Sequence, residues 1–181
     1  MSRPRQGNTY NDQFYMDLNF SEADKQNVIA FLEERTGIRH YDDEMGHYEI
    51  ISDKGTTYEL KSDRKAIRTK NMVFEILCRP VNQMRWVYTC GADLFIVTGD
   101  SKIRIYDWPA LQFHLVTWGD ALYEQILMGD RFSMLGYLLR PKDIDGIKRF
   151  LVYEGPWKQP DLNDVMDYKT DRLRKQGIGG I

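Results

Sequence analysis

Glu59 and Lys61 are the residues of this chain whose types and spacing are best suited to chemistry. They lie two positions apart in the stretch Tyr58-Glu59-Leu60-Lys61. Because successive side chains of a β-strand point to opposite faces, an acid and an amine project together if Tyr58 and Leu60 face the core. Such a triplet also arises about once by chance in a chain of this composition. A solvent-facing ion pair is therefore the alternative interpretation.

A second acid can be brought next to Glu59 by the hairpin that the sequence predicts over residues 47–61. Its turn is Asp53-Lys54-Gly55, in which the glycine can take the left-handed conformation. A three-residue loop pairs Ser52 with Thr56 and therefore places Glu49 opposite Glu59. Two directly opposed carboxylates repel each other unless a cation lies between them. Mg²⁺ (or Mn²⁺) is bound by oxygen ligands, and two carboxylates together with a phosphate oxygen would suit it.

The length of the hairpin loop leaves an alternative open for this second acid. A two-residue loop would place Tyr48 opposite Glu59 and move Glu49 out of the site. The candidates would then be the neighbouring acids Asp42, Asp43 and Glu44.

The charges around this hairpin are segregated along the chain. Residues 33–49 are rich in acids, whereas residues 61–70 carry five lysines and arginines and one acid, Asp63. An acidic cluster followed by a basic run is typical of a metal site beside a phosphate-binding surface, although a basic run is also typical of a solvated loop.

These motifs resemble those of the PD-(D/E)XK (restriction-endonuclease-like) nuclease superfamily, and most closely its small phage-type endonucleases and resolvase-like members. The resemblance covers about residues 20–150 and rests on the following stretches: Glu59-Leu60-Lys61-Ser62-Asp63-Arg64, Thr69-Lys70-Asn71, Phe74-Glu75, Gly91-Ala92-Asp93, Gly129-Asp130-Arg131, Ser133 and Gly136-Tyr137-Leu138. It implies a restriction-endonuclease-like core that holds Mg²⁺ and acts on DNA.

The resemblance also implies a role for each matching position. Glu59 and the carbonyl of Leu60 would bind the metal, and Lys61 would lie near the attacking water or the scissile phosphate. The family usually has Asp as the first acid, which is Glu49 in this chain. A helix carboxylate often completes such sites, and the candidates here are Glu22, Asp24 and Glu33. The residues expected to contact the nucleic-acid backbone are Arg64, Lys65, Arg68, Lys70 and Asn71.

The resulting hypothesis is a Mg²⁺-dependent endonuclease that hydrolyses DNA phosphodiester bonds, in which a homodimer would place two sites on two strands. The metal would activate a water molecule and stabilise the charge of the transition state. The alternative hypothesis is a nuclease-fold protein that binds nucleic acid, or serves as an accessory protein, without catalysis. Glu75 follows the alternation of its strand, so it is either an accessory acid of the site or an exposed residue; the second interpretation is favoured.

The composition favours one folded domain in a reducing compartment. The chain has 181 residues, 42% of them hydrophobic, and a net charge of -2, which argues against disorder. Cys78 and Cys90 provide neither a disulfide framework nor the paired spacing of a zinc site. No apolar stretch reaches the ~20 residues of a membrane span, and residues 1–5 contain no apolar signal core. We therefore expect a cytoplasmic protein that makes no contact with membranes. If a phage encodes it, the cytoplasm is that of the host cell.

The order of elements predicts an α/β (α+β) fold with a mixed central sheet flanked by helices. Ser21 is expected to cap a helix over residues 22–36. The domain is expected to span residues 21–155, between an irregular arm (1–20) and a polar tail (156–181). The remaining predicted elements are a third strand at 72–78, a hairpin of strands at 93–98 and 102–106, a helix at 109–127, a last strand at 134–139 and a short helix from Pro141.

Overall fold

The chain folds into helices packed on both sides of a mixed β-sheet. The structure, a computed structural model, describes residues 9–43, 47–62, 69–78, 83–99, 101–128, 134–158 and 160. The helices in this part of the chain are α1 (Thr9–Thr36), α2 (Trp86–Thr89), α3 (Trp108–Leu122), α4 (Pro141–Ile147) and a 3₁₀ helix (Lys148–Phe150). The strands are β1 (His40–Asp42), β2 (Ile50–Ser52), β3 (Thr57–Ser62), β4 (Met72–Cys78), β5 (Gln83–Met84), β6 (Leu94–Gly99), β7 (Lys102–Asp107), β8 (Glu124–Met128), β9 (Met134–Leu139) and β10 (Leu151–Pro156).

Two sheets organise these strands. The larger has the order β1-β2-β3-β6-β7-β10, in which β3 and β6 run parallel and the other neighbours run antiparallel. The smaller sheet is antiparallel and has the order β5-β4-β9-β8. The predicted mixed α/β fold is confirmed.

Each face of the larger sheet contributes to a separate hydrophobic core. On one face, Val28 and Leu32 of α1 pack against Tyr58 of β3 and against four isoleucines: Ile50, Ile96, Ile103 and Ile105. On the other face, Phe95 and Val97 of β6 belong to a core that includes Phe74 and Trp108, from the smaller sheet and α3. Since side chains alternate along a strand, β3 also serves both faces.

Several local predictions are confirmed. Strand β4 covers the predicted residues 72–78, and β6 and β7 pair as the predicted antiparallel hairpin. A short helix, α4, begins at Pro141, as expected for a residue without a backbone N–H.

The predicted irregular arm is wrong over residues 9–20, which form the first turns of α1. Ser21 therefore lies within the helix instead of capping it. Neither proline nor glycine interrupts residues 9–36, so no backbone constraint stops the helix at the predicted cap. Phe20, which is only 3% exposed, anchors this part of α1 against the fold.

Other boundaries differ because tertiary pairing overrides local pattern. The predicted helix 109–127 ends at Leu122, and residues 124–128 instead pair with β9 as strand β8. Strand β10 was not predicted, although it pairs with β7. Trp157, assigned to the tail, packs its ring against Phe31 of α1 and so belongs to the folded domain.

Strand β4 also lies in an unexpected place. The neighbour of β3 in the larger sheet is β6, whereas β4 pairs with β5 and β9 in the smaller sheet. Strands β3 and β4 follow each other along the chain, but they belong to different sheets that face each other across a core.

In the part of the chain that the structure describes, no helix is long and apolar enough to span a membrane.

Packing of α3 on the smaller sheet predicts opposite effects for two helical glycines. A Cβ at Gly119 would lie 2.5 Å from ring atoms of Tyr137, whose hydroxyl donates a hydrogen bond to Asp120. We expect Gly119→Ala to lower the free energy of unfolding by ~1–3 kcal/mol. A Cβ at Gly146 of α4 would lie in open space, so Gly146→Ala should raise the free energy of unfolding by ~0.5–1 kcal/mol. Urea denaturation of both variants tests this packing, and equal effects would contradict it.

Candidate functional site

The hairpin of β2 and β3 brings Glu49 and Glu59 close together. Ile50 pairs with Tyr58, and the Ser52 N–H donates to the Thr56 carbonyl at 2.9 Å. This is the register of the three-residue loop, so the alternative with two residues is excluded. Glu49 lies in the bend before β2, and its N–H donates to the Tyr58 carbonyl at 3.2 Å, so Glu49 and Ile50 both lie against Tyr58, as in a β-bulge. The pairing therefore ends at Ile50 and Tyr58, one position short of the predicted pair of Glu49 with Glu59.

The predicted division of β3 between its two faces is confirmed. Tyr58 is buried in the core beneath α1, and Leu60 packs against that core. Glu59 and Lys61 lie on the opposite face, at the same level as Phe95 and Val97 of the parallel strand β6. The parallel pairing begins where the Thr57 N–H and hydroxyl both donate to Asp93 Oδ2, at 2.9 and 3.0 Å.

Glu59 lies in an open cleft of about 400 Å³ whose other lining residues are His47, Tyr48, Glu49, Thr89, Cys90 and Gly91. Burial raises the pKa of the Glu59 carboxyl to about 7, and the negative charge of Glu49 adds to this increase, while Lys61 opposes it. The Cys90 thiol lies 3.9 Å from Glu59 Oε2. The cleft therefore contains a carboxylate whose negative charge is incompletely compensated.

The wall of this cleft is held in place by α3. The Cys90 carbonyl accepts hydrogen bonds from Trp108 Nε1 at 3.0 Å and from Gln112 Nε2 at 2.9 Å. Gln112 Nε2 also donates to the Val87 carbonyl. The short helix α2 and Cys90 are thereby fixed relative to α3.

Lys61 interacts with an acid from the other sheet. Its Nζ lies 3.7 Å from Glu75 Oε1, and Arg85 Nε lies 3.6 Å from Glu75 Oε2. The Glu75 side chain is 22% exposed and its charge acts on Glu59. The favoured interpretation of Glu75 as an exposed strand residue is therefore wrong. A bulge in β4 between Glu75 and Leu77 alters the strand locally, as bulges do where they redirect a side chain.

Glu49 interacts with a lysine of α1. Lys25 Nζ lies 3.4 Å from Glu49 Oε2, 2.9 Å from Asp42 Oδ2 and 3.2 Å from Glu22 Oε2. Burial lowers the pKa of the Lys25 ammonium, but its contacts with these acids outweigh burial and raise the pKa above its ordinary value. We call Lys25, Glu22, Asp42 and Glu49 the Lys25 cluster.

The helix carboxylates differ in their relation to the site. Asp24 is completely buried and accepts hydrogen bonds from Ser62, Thr98 and Trp157. Glu33 accepts a hydrogen bond from the His40 N–H at 2.9 Å. Both acids therefore link α1 to strands, and of the three candidates Glu22 is the one connected to Glu49, through Lys25.

The other predicted residues lie partly inside and partly outside the described ranges. Asp43 Oδ2 accepts hydrogen bonds from the backbone N–H groups of His47 and Tyr48, so its partners are backbone groups just before β2. Lys70 is exposed and adopts a left-handed backbone with φ 57°, and the Asn71 N–H donates to Thr69 Oγ1. The predicted residues outside the described ranges are Glu44, Arg64, Lys65 and Arg68.

The donor set can be compared with the requirements of Mg²⁺. Within the described ranges, no group of three or more His, Cys, Asp or Glu side chains is arranged to hold a metal ion. Mg²⁺, however, is often bound by one or two carboxylates, waters and substrate phosphates. Glu59, with its raised pKa and the negative charge of Glu49 nearby, fits such an open site. The Leu60 carbonyl stays a predicted ligand.

Sequence reasoning missed Lys25 and the pairing of Glu75 with Lys61. The spacing of Glu22 and Lys25 indicates a common helix face, but it does not reveal Asp42 and Glu49 on the strand side. Glu75 was visible as a polar residue between buried ones. Its partner could not be inferred because the sheet to which β4 belongs depends on pairing with β9.

Comparison with known proteins gives no match to any family model, curated protein or solved structure. The resemblance to the PD-(D/E)XK superfamily therefore stays a prediction from the motif residues.

The raised pKa of Glu59 predicts a specific pH dependence of stability. Between the ordinary value of 4.5 and about 7, the folded chain binds a proton at Glu59 that the unfolded chain releases, so this group's contribution falls as pH rises. Glu59→Gln removes that loss. In the presence of chelator, we expect the free energy of unfolding of Glu59→Gln, relative to that of wild type, to rise by up to about 3 kcal/mol between below pH 4.5 and above pH 7.

Glu154 provides the control for this titration. Burial raises the pKa of its carboxyl, but hydrogen bonds from Lys102 and Arg104 bring the pKa below its ordinary value. Glu154→Gln should therefore lose stability relative to wild type as pH rises through the acid range. Urea denaturation as a function of pH measures the free energy of unfolding of both variants. A difference between Glu59→Gln and wild type that does not change with pH would refute the raised pKa of Glu59.

Proposed function

We propose that this chain is a Mg²⁺-dependent endonuclease that hydrolyses DNA phosphodiester bonds. One observation carries the proposal: Glu59 and Lys61 share a face of β3, and Glu49 and Glu59 line the same cleft. Carboxylates beside an amine are the groups that bind a divalent ion and a phosphate together. The motif resemblance supports the same function.

Each side chain has a distinct role in this proposal. Glu49 and Glu59, with the Leu60 carbonyl, would hold Mg²⁺, which when bound lowers the pKa of a coordinated water and offsets phosphate charge. Lys61 would orient the attacking water or neutralise the scissile phosphate. Glu75 holds the Lys61 amine on the cleft side of β3 and so limits its freedom.

DNA would be gripped through its phosphates beside this cleft. Lys70 is exposed at the start of β4, the strand that carries Glu75. Together with Asn71 and the predicted residues Arg64, Lys65 and Arg68, it would bind the backbone without reading sequence. A homodimer acting on both strands and a cytoplasmic location are parts of the same proposal.

A second candidate function is nucleic-acid binding without catalysis. It is favoured by the contact of Glu49 with Lys25, which occupies the carboxylate that the metal would need. In the same way, the contact with Glu75 occupies the Lys61 amine that the phosphate or the attacking water would need. A protein of this kind would bind DNA in the presence of chelator and would not cleave it.

The roles of Glu59 and Lys61 predict a common loss of activity. We expect Glu59→Gln and Lys61→Met each to lower the rate of Mg²⁺-dependent cleavage at least ~100-fold, because both groups act on one transition state. The measurement uses linear, nicked, branched and single-stranded DNA.

Lys102→Met is the matched control for this assay, since Lys102 is a lysine paired with Glu154 on the far strands β7 and β10. Its cleavage rate should equal that of wild type. Equal rates for Lys61→Met and wild type would show that the site is wrongly assigned. Chelator-resistant DNA binding without any cleavage would favour the second candidate function.

The exposed position of Lys70 predicts an electrostatic effect on DNA binding. We expect Lys70→Gln to weaken binding of all DNA sequences alike and to reduce the slope of log K against log salt by about 0.9. Lys54→Gln, in the exposed hairpin turn, should leave that slope unchanged. Fluorescence anisotropy over a salt series measures both, and an unchanged slope for Lys70→Gln would remove Lys70 from the interface.

A further inference from the structure

The Lys25 cluster consists of three carboxylates around one cation, and that cation is the ammonium of Lys25 itself. Lys25 is a side chain of α1 that is 10% exposed, and three carboxylates from different parts of the fold surround its ammonium. Glu22 comes from α1, Asp42 from β1 and Glu49 from the bend before β2. A buried ammonium is tolerated when several acids compensate its charge.

The contact distances are those of an ammonium. The three oxygens lie 2.9–3.4 Å from Lys25 Nζ, whereas oxygen ligands lie 2.0–2.1 Å from Mg²⁺. The lysine therefore holds the carboxylates farther apart than a metal ion would. This explains why three acids can surround one point without forming a group that holds a metal.

We propose that the Lys25 ammonium takes the place of a divalent ion among Glu22, Asp42 and Glu49. The acids of the cleft and of the Lys25 cluster together then bind one metal ion fewer than they would without Lys25. The inference deepens the proposed nuclease site, because Glu49 belongs to both, and it rests on that function for its meaning. Lys25 is thus a positioning residue that acts through Glu49. Without it, three carboxylates repel each other until a divalent ion draws them together.

Counting bound Mn²⁺ ions tests this inference. We expect metal-free Lys25→Met to bind one more Mn²⁺ per chain than wild type, measured by isothermal titration calorimetry and by the electron paramagnetic resonance signal of free Mn²⁺. Lys25→Arg keeps the positive charge and should bind the same number as wild type. An equal number for Lys25→Met and wild type would overturn the inference.

The experiment separates this inference from the proposed function. If wild type binds no Mn²⁺ and Lys25→Met binds one, Lys25 does replace an ion while the proposed metal centre fails. If wild type and Lys25→Met both bind one, the metal centre survives and the inference fails. If neither binds Mn²⁺, both are wrong.

Loss of folding in Lys25→Met is covered by a second measurement. Circular dichroism of that variant is recorded in chelator and in saturating Mn²⁺. A variant that is unfolded in chelator and regains its fold with Mn²⁺ supports the inference, because the ion then replaces the ammonium. A variant that stays unfolded with Mn²⁺ contradicts it.

Discussion

The alternation of side chains along β3 is the constraint on which the candidate site depends. Tyr58 and Leu60 point toward the core beneath α1, which leaves Glu59 and Lys61 on the face shared with the smaller sheet. That face is covered by apolar residues such as Phe95, so the Glu59 carboxylate loses water and its pKa rises. Apolar packing beside Glu59, on its own face of β3, therefore creates the electrostatic character of the site.

Three cationic side chains pair with the acids next to Glu59. Lys25 binds Glu49, and Glu75 lies between Lys61 and Arg85. The flanking acids therefore have cationic partners, while Glu59 retains a raised pKa. An open site of this kind suits a ligand that brings its own charges, as a divalent ion with a phosphate does.

Local sequence signals predicted the parts of the fold that local physics determines. The turn Asp53-Lys54-Gly55 determined the hairpin register, because Gly55 adopts φ 80° there and the loop length then decides which residues pair. The start of α1 and the strand β8 could not be predicted in this way. Ser21 is a good cap by type, but the helix continues through it, and residues 124–128 pair with β9 although they suit a helix as well.

The sequence by itself determined that Glu59 and Lys61 share a face and that a three-residue loop sets the hairpin register, because the period of a strand and the length of a turn are local properties. Tertiary structure alone decided which groups surround them. Lys25 reaches Glu49 because α1 packs across the hairpin, and Glu75 reaches Lys61 because β4 joins the smaller sheet. Contacts between distant segments depend on how the elements pack, and no spacing along the chain encodes that packing.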